Sequence, residues 1–287
     1  MRKIKILLVI IFIIGILLRF YRLGDVPLGF HRDEAFLGYN AYSILLTGKD
    51  ISGNFLPLHF KSFLYSPSGY SYLSIPFIKL FDLSPFSVRF ASAFFGSLTI
   101  LTTFFLTKQL FKDIRYKNHL STASALLLSI SPWHINLSRT ATENTVVVFF
   151  ITLAVLIYLL HFYSNKWYLL PFSFFFFFIT LFIYQAPRVF LPFFIPLLTV
   201  LLNTKSKSTM FKIIIFFIGI LLPLFIIFSS KDLSLRIRTV SIFATSETQL
   251  LIDEQIRTDG ISKTGVFLTR LFHNKLSMYT QHFLENY

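Results

Sequence analysis

The sequence predicts an all-α polytopic membrane protein, and three observations predict it. Hydrophobic residues are 54% of the 287 and charged residues only 14%, against roughly 25% charged in a soluble domain. Mean hydropathy is +0.67, more apolar surface than one soluble core of this size can hide. The charges are also segregated. No Asp, Glu, Lys or Arg occurs in 90–107, 120–138, 144–165, 167–187, 189–204 or 213–230, runs of 18, 19, 22, 21, 16 and 18 residues. A helix crosses about 30 Å of hydrocarbon with about 20 apolar residues, and roughly 17–25 will serve. Cys is absent, which excludes thiolate catalysis, Cys-based zinc sites and a disulfide framework.

Ile6–Leu18 is the first span. It is short, and Lys5 and Arg19 extend it by snorkelling. Arg19-Phe20-Tyr21-Arg22 offers no small-residue cleavage site, so this is an uncleaved helix rather than a signal peptide. The six charge-free runs bring the total to seven spans within a transmembrane domain of 1–230. The N-terminus and the connections between spans two and three, four and five, and six and seven hold 11 basic residues and one acid, Asp113. The positive-inside rule makes these segments cytoplasmic in a plasma-membrane protein. The other 12 acids then lie outside. The net charge of +14 is spread over short loops rather than gathered in one patch, which argues against nucleic acid as a partner. Two outer segments are long, 19–86 and 231–287. The second carries an amphipathic pattern over 262–285 that reads as an interfacial helix leading to a further span, and hence as the N-terminal portion of a longer protein.

The first outer segment contains His31-Arg32-Asp33-Glu34-Ala35-Phe36-Leu37-Gly38-Tyr39-Asn40-Ala41-Tyr42. Asp33 and Glu34 stand where acids favour a helix N-terminus. Leu37, Ala41, Ile44 and Leu45 share one face, and Gly48 is a stop, so the spacing predicts a membrane-surface helix of about four turns. A second amphipathic piece covers about 69–81, before Asp82 and Pro85. An N-terminal acidic pair can be capping alone. However, neighbouring helix residues point about 100° apart, so the two carboxylates do not duplicate one role.

Arg-Asp-Glu-Ala-x-x-Gly-Tyr-Asn-Ala-Tyr at 32–42, Thr47-Gly48-Lys49-Asp50 and Gly53-Asn54-Phe55-Leu56-Pro57-Leu58 together resemble the first periplasmic loop of GT-C membrane glycosyltransferases. The branch is that of the protein O-mannosyltransferases and lipid A aminoarabinose transferases. Val88-Arg89-Phe90-Ala91-Ser92-Ala93 resembles that branch's Arg-x-x-Ser-Ala segment. Ser131-Pro132-Trp133-His134 through Ser138-Arg139, with Glu143, resembles its second outer loop, and Tyr184-Gln185-Ala186-Pro187-Arg188-Val189 a later one. The chain departs from many relatives at Tyr65-Ser66-Pro67-Ser68-Gly69-Tyr70, where they carry Lys, His or Glu before a Pro-Pro pair.

The resemblance implies a GT-C-type helix bundle with amphipathic helices in the first outer loop, and relatives have more helices and a C-terminal outer domain. It also implies transfer of a hexose-type sugar, with inversion, from a polyprenyl-phosphate donor to a lipid, glycan or protein acceptor at the outer face. A departing phosphate is already a stable anion, so the reaction needs a carboxylate base and cations rather than a general acid. Asp33 is the base candidate and Glu34 the acceptor-positioning candidate, so Glu34→Gln is expected to be the milder change. Arg89 and Arg188, at outer span edges, and Arg139 are the donor-phosphate candidates. Each has a plainer reading. Arg89 and Arg188 can anchor to lipid headgroups, and Arg139 can pair with Glu143 four residues on. Pro187, Pro192 and Pro196 should kink or unwind the last of these helices beside a cavity. His31, His59 and His134 lie outside and could join Glu34 around a divalent cation, but no ligand spacing supports a metal site. Besides the donor and acceptor, membrane lipids are the expected partners. A non-enzymatic lipid or sugar transporter would place ionisable residues at mid-span, and the spans have none. An inactive fragment of the enzyme is the remaining alternative.

Overall fold

In the computed structural model, which describes residues 2–61, 66–164 and 166–202 together with Phe225 and Glu254, the apolar runs are helices. The described helices are α1 (Arg2–Phe20), α2 (Arg32–Thr47), α3 (Gly69–Phe81), α4 (Pro85–Leu110), α5 (Lys117–Ile130), α6 (Pro132–Arg139), α7 (Glu143–Ser164), α8 (Leu169–Ile183) and α9 (Ala186–Leu202). Two isolated bridges, Lys49 to Phe55 and His59 to Pro67, are the only β pairing among the described residues. The chain divides into two compact units, Met1–Phe225 and Ile226–Tyr287, and the description below concerns the first. The expected seventh span 213–230 (Phe225 apart), the pattern at 262–285 and position 65 lie outside the described residues.

Among the described residues, α4 and α7 are long and apolar enough to cross a membrane, and α8 and α9 are shorter apolar helices. Both loop helices form where the periodicity places them. α2 ends at Gly48, which is left-handed (φ 69°) and returns its N–H to the Ile44 carbonyl. Its apolar stripe, Leu37, Ala41 and Ile44, is buried in a core shared with Tyr70 and Ile78 of α3, Val88 of α4, Val146 and Phe150 of α7 and Ile183 of α8. Hydrogen bonds pin these helices together. Ser71 donates to the Leu37 carbonyl at 2.9 Å, and Tyr70 to the Val88 carbonyl at 2.8 Å. A second core joins Ile11 of α1, Ile100 and Phe104 of α4 and Ala125 of α5. α4 is the common element of both cores.

Three expectations are corrected. The run 120–138 is not one helix: it breaks between Ile130 and Pro132, and Ser131 is extended (φ −62°, ψ 116°). Pro132 is the cause, because proline disfavours the helical conformation in the residue before it. Arg19 does not snorkel outward. It is fully buried, and its guanidinium donates to the Leu128 and Ser129 carbonyls and to His134 Nδ1. These are the carbonyls that the break leaves without helical partners. Finally, the prolines do not unwind α9. Pro187 falls in its first turn, where the missing N–H costs nothing, and the helix continues through Pro192 and Pro196.

Candidate active site

The site lies at the end of α4 that the charge pattern assigns to the outer face, where α2 packs against α3 and α4. The site is built on Glu34. His31 is the N-cap of α2: its ring accepts the Asp33 N–H, and the Glu34 carboxylate accepts the His31 N–H at 3.0 Å. Glu34 is 3% exposed. It receives Arg89 in a two-pronged bond, Nε to Oε1 and Nη2 to Oε2, both at 2.9 Å, and the Ala141 N–H at 2.7 Å. One carboxylate therefore ties α2 to α4 and to the connection before α7. Burial pushes the Glu34 carboxyl upward, but the Arg89 hydrogen bond, the two backbone amides and the Arg89 charge together outweigh it and hold the group below its usual value.

Arg89 has five N–H donors, and all are taken. Two go to Glu34 and three to the carbonyls of Leu23, Pro27 and Gly29, at 3.2, 3.1 and 2.7 Å. It is 1% exposed and offers no donor to lipid headgroups. The Arg-x-x-Ser spacing puts Ser92 on the same face. Ser92 accepts the Thr142 N–H and donates to the Tyr70 hydroxyl, each at 3.1 Å. Tyr70, Ser92 and the Ala141 amide carry no role in the sequence-based expectations. The spacing of 89 and 92 was the available signal for Ser92, whereas nothing in the sequence marks a backbone amide.

Asp33 is turned the other way. Its side chain is 61% exposed and its carboxylate lies 3.7 Å from the His31 ring. The same helix end thus presents one carboxylate to the interior and one to the open side. Three nearby arginines bond elsewhere: Arg19 to His134, Arg22 to Asp25 at 3.2 Å, and Arg89 to Glu34.

Arg139 ends α6, and Glu143 begins α7 after the extended Thr140, so the two do not share a helix as an i,i+4 pair would require. The Arg139 guanidinium instead caps the end of α1, donating to the Leu18 and Tyr21 carbonyls at 2.8 and 2.7 Å and to Val26 at 2.9 Å. Arg188 stands in the first turn of α9 and is 3% exposed. Its Nε donates to the Leu181 carbonyl at 2.8 Å and its Nη2 to the Nε2 of His59. Burial, with the Arg188 charge, pushes the His59 ring down to about 3, so it is a neutral acceptor. His31, His59 and His134 thus serve separate partners, and no three His, Asp or Glu side chains are grouped to hold a metal ion among the described residues.

Comparison with known proteins gives the family of the chain rather than its site. No curated protein matches the chain. The family whose sequence model does match is described as dolichyl-phosphate-mannose-protein mannosyltransferase, and the match covers residues 66–230, from the approach to α3 through the bundle. The chain belongs to that family, the GT-C-type membrane glycosyltransferases that include the protein mannosyltransferases.

Proposed function

We propose that this membrane glycosyltransferase moves a hexose-type sugar from a polyprenyl-phosphate donor to an acceptor hydroxyl, with inversion, and that Asp33 is its base. The contrast within the acidic pair carries the reading. Glu34 is buried and saturated by Arg89 and two amides, whereas Asp33 is mostly exposed on a helix end that those same bonds immobilise. A base needs an accessible carboxylate held in a fixed place, and the neighbouring residue supplies the fixing. Asp33 takes the proton of the acceptor hydroxyl, and that oxygen attacks the anomeric carbon. The bond from that carbon to the phosphate oxygen breaks, and the phosphate leaves with the electron pair.

Arg188 is the proposed cation for the donor phosphate. A phosphate oxygen is a stronger acceptor than the neutral His59 ring it would displace, and the N-terminus of α9 adds favourable polarity. Arg89, all five of whose donors are taken, and Arg139, which caps the end of α1, enter as positioning residues rather than phosphate ligands. The family is named for transfer of mannose from dolichyl phosphate to protein, so mannose and a protein acceptor are the first substrates to try. The wider reading keeps seven spans in 1–230, an outer segment 231–287, a cytoplasmic N-terminus and an outer-face site in the plasma membrane.

Asp33→Asn tests the base. His31 is the cap, so the helix start survives the change. Transfer of labelled sugar from a polyprenyl-phosphate donor should fall on the order of 10²-fold while expression holds. Transfer within about twofold of the parent would overturn the assignment.

A further inference from the structure

The end of α4 opposite the Glu34 cluster carries a second concentration of features. Arg89 and Lys108 lie 19 residues apart on one helix, about 28 Å along its axis. There a groove of about 540 Å³ opens between α1, α4 and α5, walled by Leu8, Val9, Phe104 and Phe105, with Lys5, Lys108 and Lys117 at its polar margin. A second lobe of about 310 Å³ runs between α4 and α7, walled by Leu156 and Leu160, and shares Phe105, Lys108 and Lys117 with the first. Lys112 lines this second lobe, with its ammonium 3.3 Å above the Tyr163 ring. Lys117 donates to the Lys112 carbonyl at 2.8 Å.

None of these four lysines is paired with a carboxylate among the described residues. Asp113, the acid of the α4–α5 connection, is exposed and lines neither lobe. We propose that this groove binds one diacyl anionic phospholipid from the adjacent leaflet. Its two chains lie in the two apolar lobes and its headgroup phosphate sits among Lys5, Lys108 and Lys117 at their margin. The charge complementarity selects an anionic headgroup. The paired apolar lobes select a diacyl lipid over a free phosphate. Basic pockets between transmembrane helices on the cytoplasmic side are the setting in which such headgroups are held. The inference does not depend on Asp33 or on the donor.

The test is lipid retention by the purified full chain, read by native mass spectrometry after exchange with vesicles of dioleoyl phosphatidylglycerol or dioleoyl phosphatidylcholine. The parent chain should retain the anionic lipid preferentially. Lys5→Gln and Lys108→Gln should each reduce that preference about fivefold, the attraction one basic residue exerts near an anionic surface. Lys5→Arg and Lys108→Arg should preserve it, which separates loss of charge from loss of fold. Leu8→Trp, which fills the wall, should lower retention of both lipids. Equal retention of the two lipids by the parent chain would overturn the proposal. So would an unchanged preference in the Lys5→Gln/Lys108→Gln double variant, or competition by inorganic phosphate at the same phosphate concentration.

Discussion

Asp33 and Glu34 show how neighbouring residues separate in role. Asp33 and Glu34 are chemically alike, yet a one-residue step of about 100° around the helix axis puts the second inside the protein. Glu34→Gln, the change expected to be milder for transfer, is therefore the harsher one for stability. Removing one partner of a buried pair leaves the other charge unmatched, at a cost of about 3–5 kcal/mol. Glu34→Gln and Arg89→Ala should therefore lower the detergent-solubilised unfolding temperature sharply, while Asp33→Asn leaves it near the parent's. Equal melting of all three would show that the pair is not structural. The two shifted groups also set an acid limb. Glu34 titrates lower folded than unfolded, so its stabilisation is full above the ordinary carboxylate value and is lost as pH falls from there through its lowered folded value. His59 is held near 3 when folded against 6.5 ordinarily, so between those values the unfolded chain binds the extra proton and stability falls with falling pH. His59→Gln should flatten the decline between pH 7 and pH 5, measured as unfolding temperature against pH.

At the scale of the elements, α2 and α3 were legible because each keeps a helical stripe bounded by clear stops. Gly48 ends α2, and Asp82 with Pro85 separates α3 from α4. The α5–α6 break was less legible. Ser131-Pro132 lies within a charge-free run, and hydropathy averages across it. The break has a use, since it frees the carbonyls that Arg19 binds. Close packing was not legible at all. A Cβ at Gly69 would meet the Phe182 carbonyl oxygen at 2.6 Å and the Ile183 Cα at 2.9 Å, both backbone atoms that cannot rotate away. Gly69→Ala should therefore separate α3 from the end of α8 and cost about 1–3 kcal/mol, the usual penalty of overpacking. Unchanged thermal stability in this variant would mean that α3 can shift without loss.

At the scale of the whole molecule, charge sets the expected orientation. The absence of Cys allows a direct check. Asp113→Cys, in the basic α4–α5 connection, should resist a membrane-impermeant thiol reagent in intact cells. Leu28→Cys, at a site 93% exposed in the first loop, should react. Labelling at 113 with protection at 28 would invert the topology. The family match begins at residue 66, so the Asp33-Glu34 segment lies outside it. Its link to the matched region is physical: Glu34 reaches Arg89 and Ala141 across 55 and 107 residues of sequence.

The sequence by itself determined the lipid-facing composition, the two loop helices and the two acids at a helix start, because these depend on spacing within a few turns. It also determined which loops are basic, because that needs only counting. Only the tertiary structure decided the partners of the buried arginines. Arg19, Arg89 and Arg139 each stand at the edge of an apolar run, where lipid headgroups, a donor phosphate and a protein carbonyl satisfy a guanidinium equally well on paper. Which acceptor wins depends on where helix ends from distant parts of the chain leave carbonyls and carboxylates unpaired. The ends of α1 and α5 and the carboxylate of Glu34 are those places.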